Sequence, residues 1–217
     1  MPKIKICPAI LSPNKQTVQK DVSEVEKYTD LLQVDIMDNI FVPNLTPQAE
    51  QLTWFTTSLP LDMHLMVKEP TEEYFLGFIN ANPKLKIHDF TVHYEACSNI
   101  EKTIAIIKKL KVKVGIAINP KTGVEKIKKY LDRIDMVLVM TVEPGFSGQL
   151  FIEEALSKVT ELRKLRPNLD IQVDGGITDK TGHKAALAGA NMFVANSYIW
   201  KAPDRKKAVD DLKKAVQ

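Results

Sequence analysis

Only two cysteines, Cys7 and Cys97, occur among the 217 residues, too few and too scattered for a disulfide framework or a zinc knuckle. Both sit in or beside apolar strand-like runs, so buried thiols in a reducing cytoplasm are expected. Long apolar runs are missing too. No stretch approaches the roughly 18–20 apolar residues of a membrane span, and no membrane partner is expected. The opening Met1-Pro2-Lys3-Ile4-Lys5 lacks the apolar core of a signal peptide, which again points to the cytoplasm. There is no basic block either. The formal net charge of +3 is spread over pairs such as Lys108-Lys109, Lys128-Lys129, Lys206-Lys207 and Lys213-Lys214, with no aromatic residues interleaved. These read as solvated helix faces, and no nucleic-acid partner is expected.

What remains is ordinary for a soluble globular chain: 44% hydrophobic and 26% charged residues. Strand-like runs at 4–11, 31–36, 61–67, 90–93, 112–118, 136–142, 171–173 and 192–195 alternate with amphipathic helical runs. Ile152, Ala155, Leu156, Val159 and Leu162 carry a 3.6-residue period, as do Val124, Ile127, Leu131 and Ile134. Thr46-Pro47, Glu69-Pro70 and Ala202-Pro203 mark helix starts, while Asn82-Pro83 and Arg166-Pro167 close two others. Eight strands, each followed by a helix and with no linker, predict one α/β domain over 1–217, a (β/α)8 TIM barrel. A doubly wound open sheet also alternates but more often stops at five or six strands.

In such a barrel chemistry belongs at the carboxyl ends of the strands. Ser12, Asp35, His64, Asn119, the 143–148 loop, Asp174-Gly175-Gly176 and Asn196-Ser197 all fall there. Residues 32–46 are the most telling segment: Gln33, Asp35 and Met37 share one strand face, and a Pro-containing loop follows. The loop bearing Gly145, Phe146, Ser147 and Gly148, with Gly175-Gly176 and Asn196-Ser197, reads as a phosphate cradle, since later-strand loops of a barrel commonly hold phosphate. Asp35, His64 and Asp174 would converge on the barrel mouth. Uncompensated like charges there cost several kcal/mol, so a divalent metal is the natural compensator, with N and O ligands suiting zinc, iron(II), manganese or cobalt.

The stretches Pro8–Ser12, Val34–Asp38, Phe41–Thr46, His64–Val67, Thr91–His93, Asn119-Pro120, Met140–Gly148 and Val173–Ile177 together resemble the ribulose-phosphate 3-epimerase family over nearly the whole chain. The resemblance implies a barrel of the ribulose-phosphate-binding type and a small phosphorylated ketose as substrate. It also implies an isomerase of the pentose phosphate pathway that converts D-ribulose 5-phosphate to D-xylulose 5-phosphate. Asp35 and Asp174 would be the two acid/base groups and, with His64, metal ligands around a metal-stabilised enediolate. Ser12 and His64 would position substrate, and Met37, Met66 and Met140 would line the intermediate. Gln33 stands where the family has a histidine ligand, which predicts weaker metal binding or a preference for manganese or magnesium. Asn39 and Asn196 stand at usual glycines, and Glu143 adds a charge beside the cradle. Two alternatives stay open: a six-carbon substrate, as in the allulose-phosphate 3-epimerases, and a non-catalytic phosphosugar-binding relative. A homo-oligomer is compatible with the resemblance, with its size open.

Overall fold

Apolar and β-branched residues on the outer face of each strand, with mixed polar and small residues on the other, dictate a sheet buried on both sides. The computed structural model describes residues 2–10 and 17–217. Eight strands, β1 (Lys5–Ile10), β2 (Leu32–Met37), β3 (Leu61–Met66), β4 (Ile87–His93), β5 (Lys113–Ile118), β6 (Met136–Met140), β7 (Asp170–Asp174) and β8 (Met192–Ala195), form a closed parallel barrel in chain order. In β2, Leu32, Val34 and Ile36 pack in the large apolar layer beneath the helices, so Gln33, Asp35 and Met37 face the lumen.

The helices are α1 (Val18–Val25), α2 (Glu72–Ala81), α3 (Ile100–Lys109), α4 (Leu156–Leu165), α5 (Asp179–Ala188), the single turn α6 (Ser197–Trp200) and α7 (Arg205–Ala215). Each long one buries an i, i+3/i+4 stripe, such as Val18, Val22 and Val25 in α1, or Ala208, Val209 and Leu212 in α7. Side chains at the helix starts satisfy otherwise unpaired N–H groups: Asn99 caps α3, Asp204 caps α7, and Thr178 forms a capping box with Thr181 on α5. Asn82 and Arg166 end α2 and α4 just before prolines, as the sequence predicts.

Two connections depart from the expected strand–helix alternation. After β2 there is only a 3-10 turn, Ala49–Leu52, and after β5 there are two, Val124–Lys126 and Lys128–Tyr130, in place of an α-helix. Val124, Ile127, Tyr130, Leu131 and Ile134 are buried as a core-facing stripe should be, so the apolar pattern was right and the winding wrong. A 3-10 turn rises about 2.0 Å per residue against about 1.5 Å in an α-helix, so a short segment covers the return path to β6. Strand β4 starts at Ile87, three residues before its expected start, because His88 and Asp89 mask it in the sequence. The barrel is tied shut near the site by Trp200, whose indole N–H donates to the Ala9 carbonyl at 2.7 Å.

Candidate active site

The register places lumen-facing residues of neighbouring strands side by side. Asp35 pairs with His64, Met37 with Met66, and Met140 with Asp174. One carboxylate oxygen from each aspartate and one His64 nitrogen all lie within 4.8 Å of one another. His64 Nδ1 is 3.0 Å from Asp35 Oδ1 and 3.5 Å from Asp174 Oδ2. Of the two carboxylates, Asp174 is nearer solvent, its side chain 16% exposed against 6% for Asp35.

The two acids decide the protonation of the ring. Burial disfavours an imidazolium, but hydrogen bonds and charge from Asp174 and Asp35 outweigh it and bring the His64 pKa up to about 10. Burial also pushes Asp35 above the ordinary carboxylate value; Asp174 adds to this, while His64 and Gln33 oppose it.

Gln33 is fully buried among them. Its Nε2 donates to Asp35 Oδ1 and to Asp174 Oδ2, at 2.8 Å each. Its Oε1 is buried with no hydrogen-bond partner among the described residues. The position expected to add a metal-ligating oxygen therefore turns its amide N–H groups onto the two acids, as a neutral bridge between like charges.

Backbone clamps hold both acids. Thr46 Oγ1 accepts the Met37 N–H at 2.8 Å and donates to the Asp35 carbonyl at 2.9 Å. The Thr141 N–H donates to the Asp174 carbonyl at 2.8 Å, and its hydroxyl lies 2.8 and 2.6 Å from the carbonyl oxygens of Asp174 and Gly175. At Gly175 φ is +118°, and a Cβ there would stand 2.5 Å from a Val142 methyl, so the chain turns away from Asp174 only with glycine.

A cavity of about 380 Å³ opens above the acids. Asp35, Asp174, Met37, Met66 and Met140 line its floor, with Gly145, Phe146, Ser147, Gly148, Gly175, Gly176, Asn196 and Ser197 around the rim. The cradle residues and the acids thus share one space. Short helix α6 starts at Ser197, and Asn196 gives its N-terminus no side-chain cap. Asn39 adopts φ +58°, the left-handed turn expected for it, whereas Asn196 has φ −108° and uses no such allowance. Glu143 is half exposed, with the Lys121 ammonium 3.9 Å away. Ser12 lies outside the described residues. His64 and Gln33 sit beneath the floor, both fully buried.

Sequence reasoning missed His93, Glu95, Thr46 and Thr141 as supports of the site. Inward parity at Asp89, Thr91 and His93 would have found His93, whose Nε2 lies 2.9 Å from His64 Nε2. Thr46 and Thr141 act through backbone contacts, and Glu95 acts through the His93 ring, neither of which residue spacing reveals.

Fold and site together define a (β/α)8-barrel protein with an acid–imidazole–acid centre under a glycine-lined mouth. The model of the ribulose-phosphate 3-epimerase family matches residues 5–200. A Bacillus subtilis relative named ribulose-phosphate 3-epimerase is 39% identical, with 97% of this chain and 98% of the relative covered. One of the same name from Schizosaccharomyces pombe is 40% identical, covering 100% and 95%. Among solved structures, a 3-hexulose-6-phosphate synthase shares the fold with a TM-score of 0.71 at 17% identity, covering 99% of this chain and all of the other. The chain belongs to the ribulose-phosphate 3-epimerase family.

Proposed function

We propose that this protein inverts C3 of D-ribulose 5-phosphate to give D-xylulose 5-phosphate, with Asp35 and Asp174 as the acid/base pair. The observation that carries the reading is one shared cavity, in which two clamped aspartates from β2 and β7 line a floor below the glycine-lined rim. One aspartate takes the C3 proton, the C–H electron pair delocalises toward the C2 oxygen, and the other aspartate delivers a proton from its own side. Burial raises Asp35, which makes it a better proton acceptor than an ordinary aspartate at neutral pH. Phosphate lies on Gly145–Gly148, Gly175-Gly176 and the backbone at Asn196-Ser197. Met37, Met66 and Met140 pack against the reacting carbons and bring no exchangeable proton.

Two carboxylates and an imidazole around one point fit a divalent metal, and Asp35, His64 through Nδ1, and Asp174 would hold it. When bound, it supplies Lewis-acid stabilisation of charge on the C2 and C3 oxygens, worth several kcal/mol. The partnerless Oε1 of Gln33 supports a fourth, weaker ligand, since a half-turn of the amide exchanges its oxygen with Nε2.

The test is deuterium incorporation at C3 of ribulose 5-phosphate in D2O, followed with and without chelator. Label at C3, formation of xylulose 5-phosphate, and loss of both with chelator are expected. Bound phosphosugar with no label would overturn the catalytic reading, and a higher kcat/KM on a six-carbon ketose phosphate would overturn the substrate.

A further inference from the structure

His64 has two ring nitrogens, and only one faces the acids. Nδ1 points at Asp35 and Asp174, while Nε2 points away, 2.9 Å from Nε2 of His93. Two imidazole nitrogens that close share one proton, so one must donate and the other accept. The remaining nitrogen of His93 settles which. His93 Nδ1 lies 3.5 Å from Glu95 Oε2, and the Asn119 side chain also meets the ring. His93 Nδ1, Glu95 Oε2 and Asn119 Oδ1 are all buried and make no closer hydrogen bond among the described residues, so each faces only the others. Carboxylate and amide oxygens only accept, so His93 Nδ1 must carry hydrogen. Nε2 of the neutral His93 ring is then bare and accepts the Nε2–H of His64.

We infer that Glu95 and His93 are positioning residues that keep a hydrogen on His64 Nε2, so that Nδ1 is the nitrogen that gives up its proton to bind a metal. The inference rests on the reading of Asp35, His64 and Asp174 as metal ligands.

The surroundings make this arrangement rigid. The His64 and His93 rings meet through their nitrogens, with planes 27° apart and centroids 5.0 Å apart, and Phe41 packs on His93 at 4.9 Å. His64 and His93 are fully buried, so no water competes for the shared proton. Glu95 is itself held: its Oε1 accepts the Asn119 N–H at 2.8 Å and the Thr122 hydroxyl. Buried Lys158 ties down the same loop by donating to the carbonyls of Asn119, Pro120 and Thr122. A partner of this kind, carboxylate to histidine to ligand, fixes tautomer and ring orientation.

Two measurements on the full-length protein test it. In zinc-loaded protein with 15N-labelled histidine, the ring shifts should place hydrogen on His64 Nε2 and His93 Nδ1. Hydrogen on His93 Nε2, or zinc bound through His64 Nε2, would overturn the relay. Manganese titration of Glu95→Gln and His93→Phe should show affinity lower by roughly 10–100-fold, the usual cost of losing such a partner. His93→Gln, whose amide oxygen accepts whatever residue 95 does, should restore affinity to the Glu95→Gln variant, which a merely structural Glu95 would not permit. Unchanged affinity in Glu95→Gln and His93→Phe would overturn the relay alone. Failure of the wild-type protein to bind either ion would overturn the metal reading and the relay with it.

Discussion

Two groups of carboxylates share the lumen of this barrel, one layer apart, and their surroundings give them opposite characters. At the carboxyl end Asp35 and Asp174 flank His64 beneath an open cavity. Deeper, Asp62 and Asp89 are register partners on β3 and β4, both fully buried. The deeper pair is held by protein: Gln172 donates to Asp62 Oδ2, Thr91 to Asp89 at 2.9 Å, and His88 Nδ1 lies 2.6 Å from Asp89. Burial and the neighbouring Asp89 push Asp62 well above the ordinary carboxylate value, so it serves as a neutral acid beside Asp89. The upper acids have only an amide, an imidazole and space. Access from the cavity, rather than carboxylate pairing as such, separates the upper layer from the buried one.

The largest effect should come from removing one upper acid. Asp174→Asn is expected to lower kcat by about 10²–10⁴-fold, the ordinary worth of a positioned acid or base. Asp62→Asn replaces a neutral carboxylic acid by a neutral amide of the same shape, and should leave kcat within a few-fold. Steady-state rates on ribulose 5-phosphate, with circular dichroism to check folding, compare the two. An equal loss from both would erase the distinction between the layers.

Next in size is a pH dependence of stability located in the deeper layer. Burial raises Asp89 to about 6 from 3.8, against hydrogen bonds from Asp62 and Thr91 that lower it. A raised acid contributes stability that is full below its unfolded pKa and lost as pH rises through the folded one. The window is therefore about pH 4 to 6, and the span corresponds to about 3 kcal/mol. His88 works the other way. Burial and then Lys113 lower it from 6.5 to about 4, so its contribution is lost as pH falls through the same window. The two offset in the wild-type protein, and Asp89→Asn should expose the histidine. Relative to wild type, the variant should lose stability as pH falls from about 6.5 to 4, in urea unfolding at several pH values. Parallel curves would place the Asp89 proton elsewhere.

The contrast between layers also marks what the sequence could tell. Alternation along 32–37 put Asp35 and Met37 on one face, and strand-end position brought His64 and Asp174 to them, since both follow from a period of two and a parallel barrel. The turns of the rim were legible because glycines at 145, 148, 175 and 176 do take positive φ. Asp62, Asp89 and Gln172 went unremarked, because a buried polar residue inside an apolar strand has meaning only once the register shows its partner. The winding after β5 was hidden for a different reason: spacings of three and four residues at 124, 127, 131 and 134 suit either helix type. The amide orientation of Gln33 lay beyond sequence altogether, because it depends on what the two acids offer it.

Gln33 is where the layers meet, and it gives the smallest expected effect. Its register partner is Asp62 below, yet its amide reaches up to Asp35 and Asp174. Both N–H contacts help the His64 ring hold the acids together, so a metal held by both acids would break them and turn the amide. A histidine at 33 would offer a ring nitrogen instead, a better zinc ligand than an amide oxygen, with one fewer competing contact. Gln33→His should therefore raise zinc affinity by roughly tenfold, about 1.4 kcal/mol. The gain should be smaller for manganese, which accepts oxygen ligands more readily. Competition with a chromophoric chelator measures both ions. Tight stoichiometric zinc in the wild-type protein, unchanged by the substitution, would mean that the amide bridge already yields to the ion at little cost. The upper layer would then owe its reactivity to Asp35, His64 and Asp174 alone.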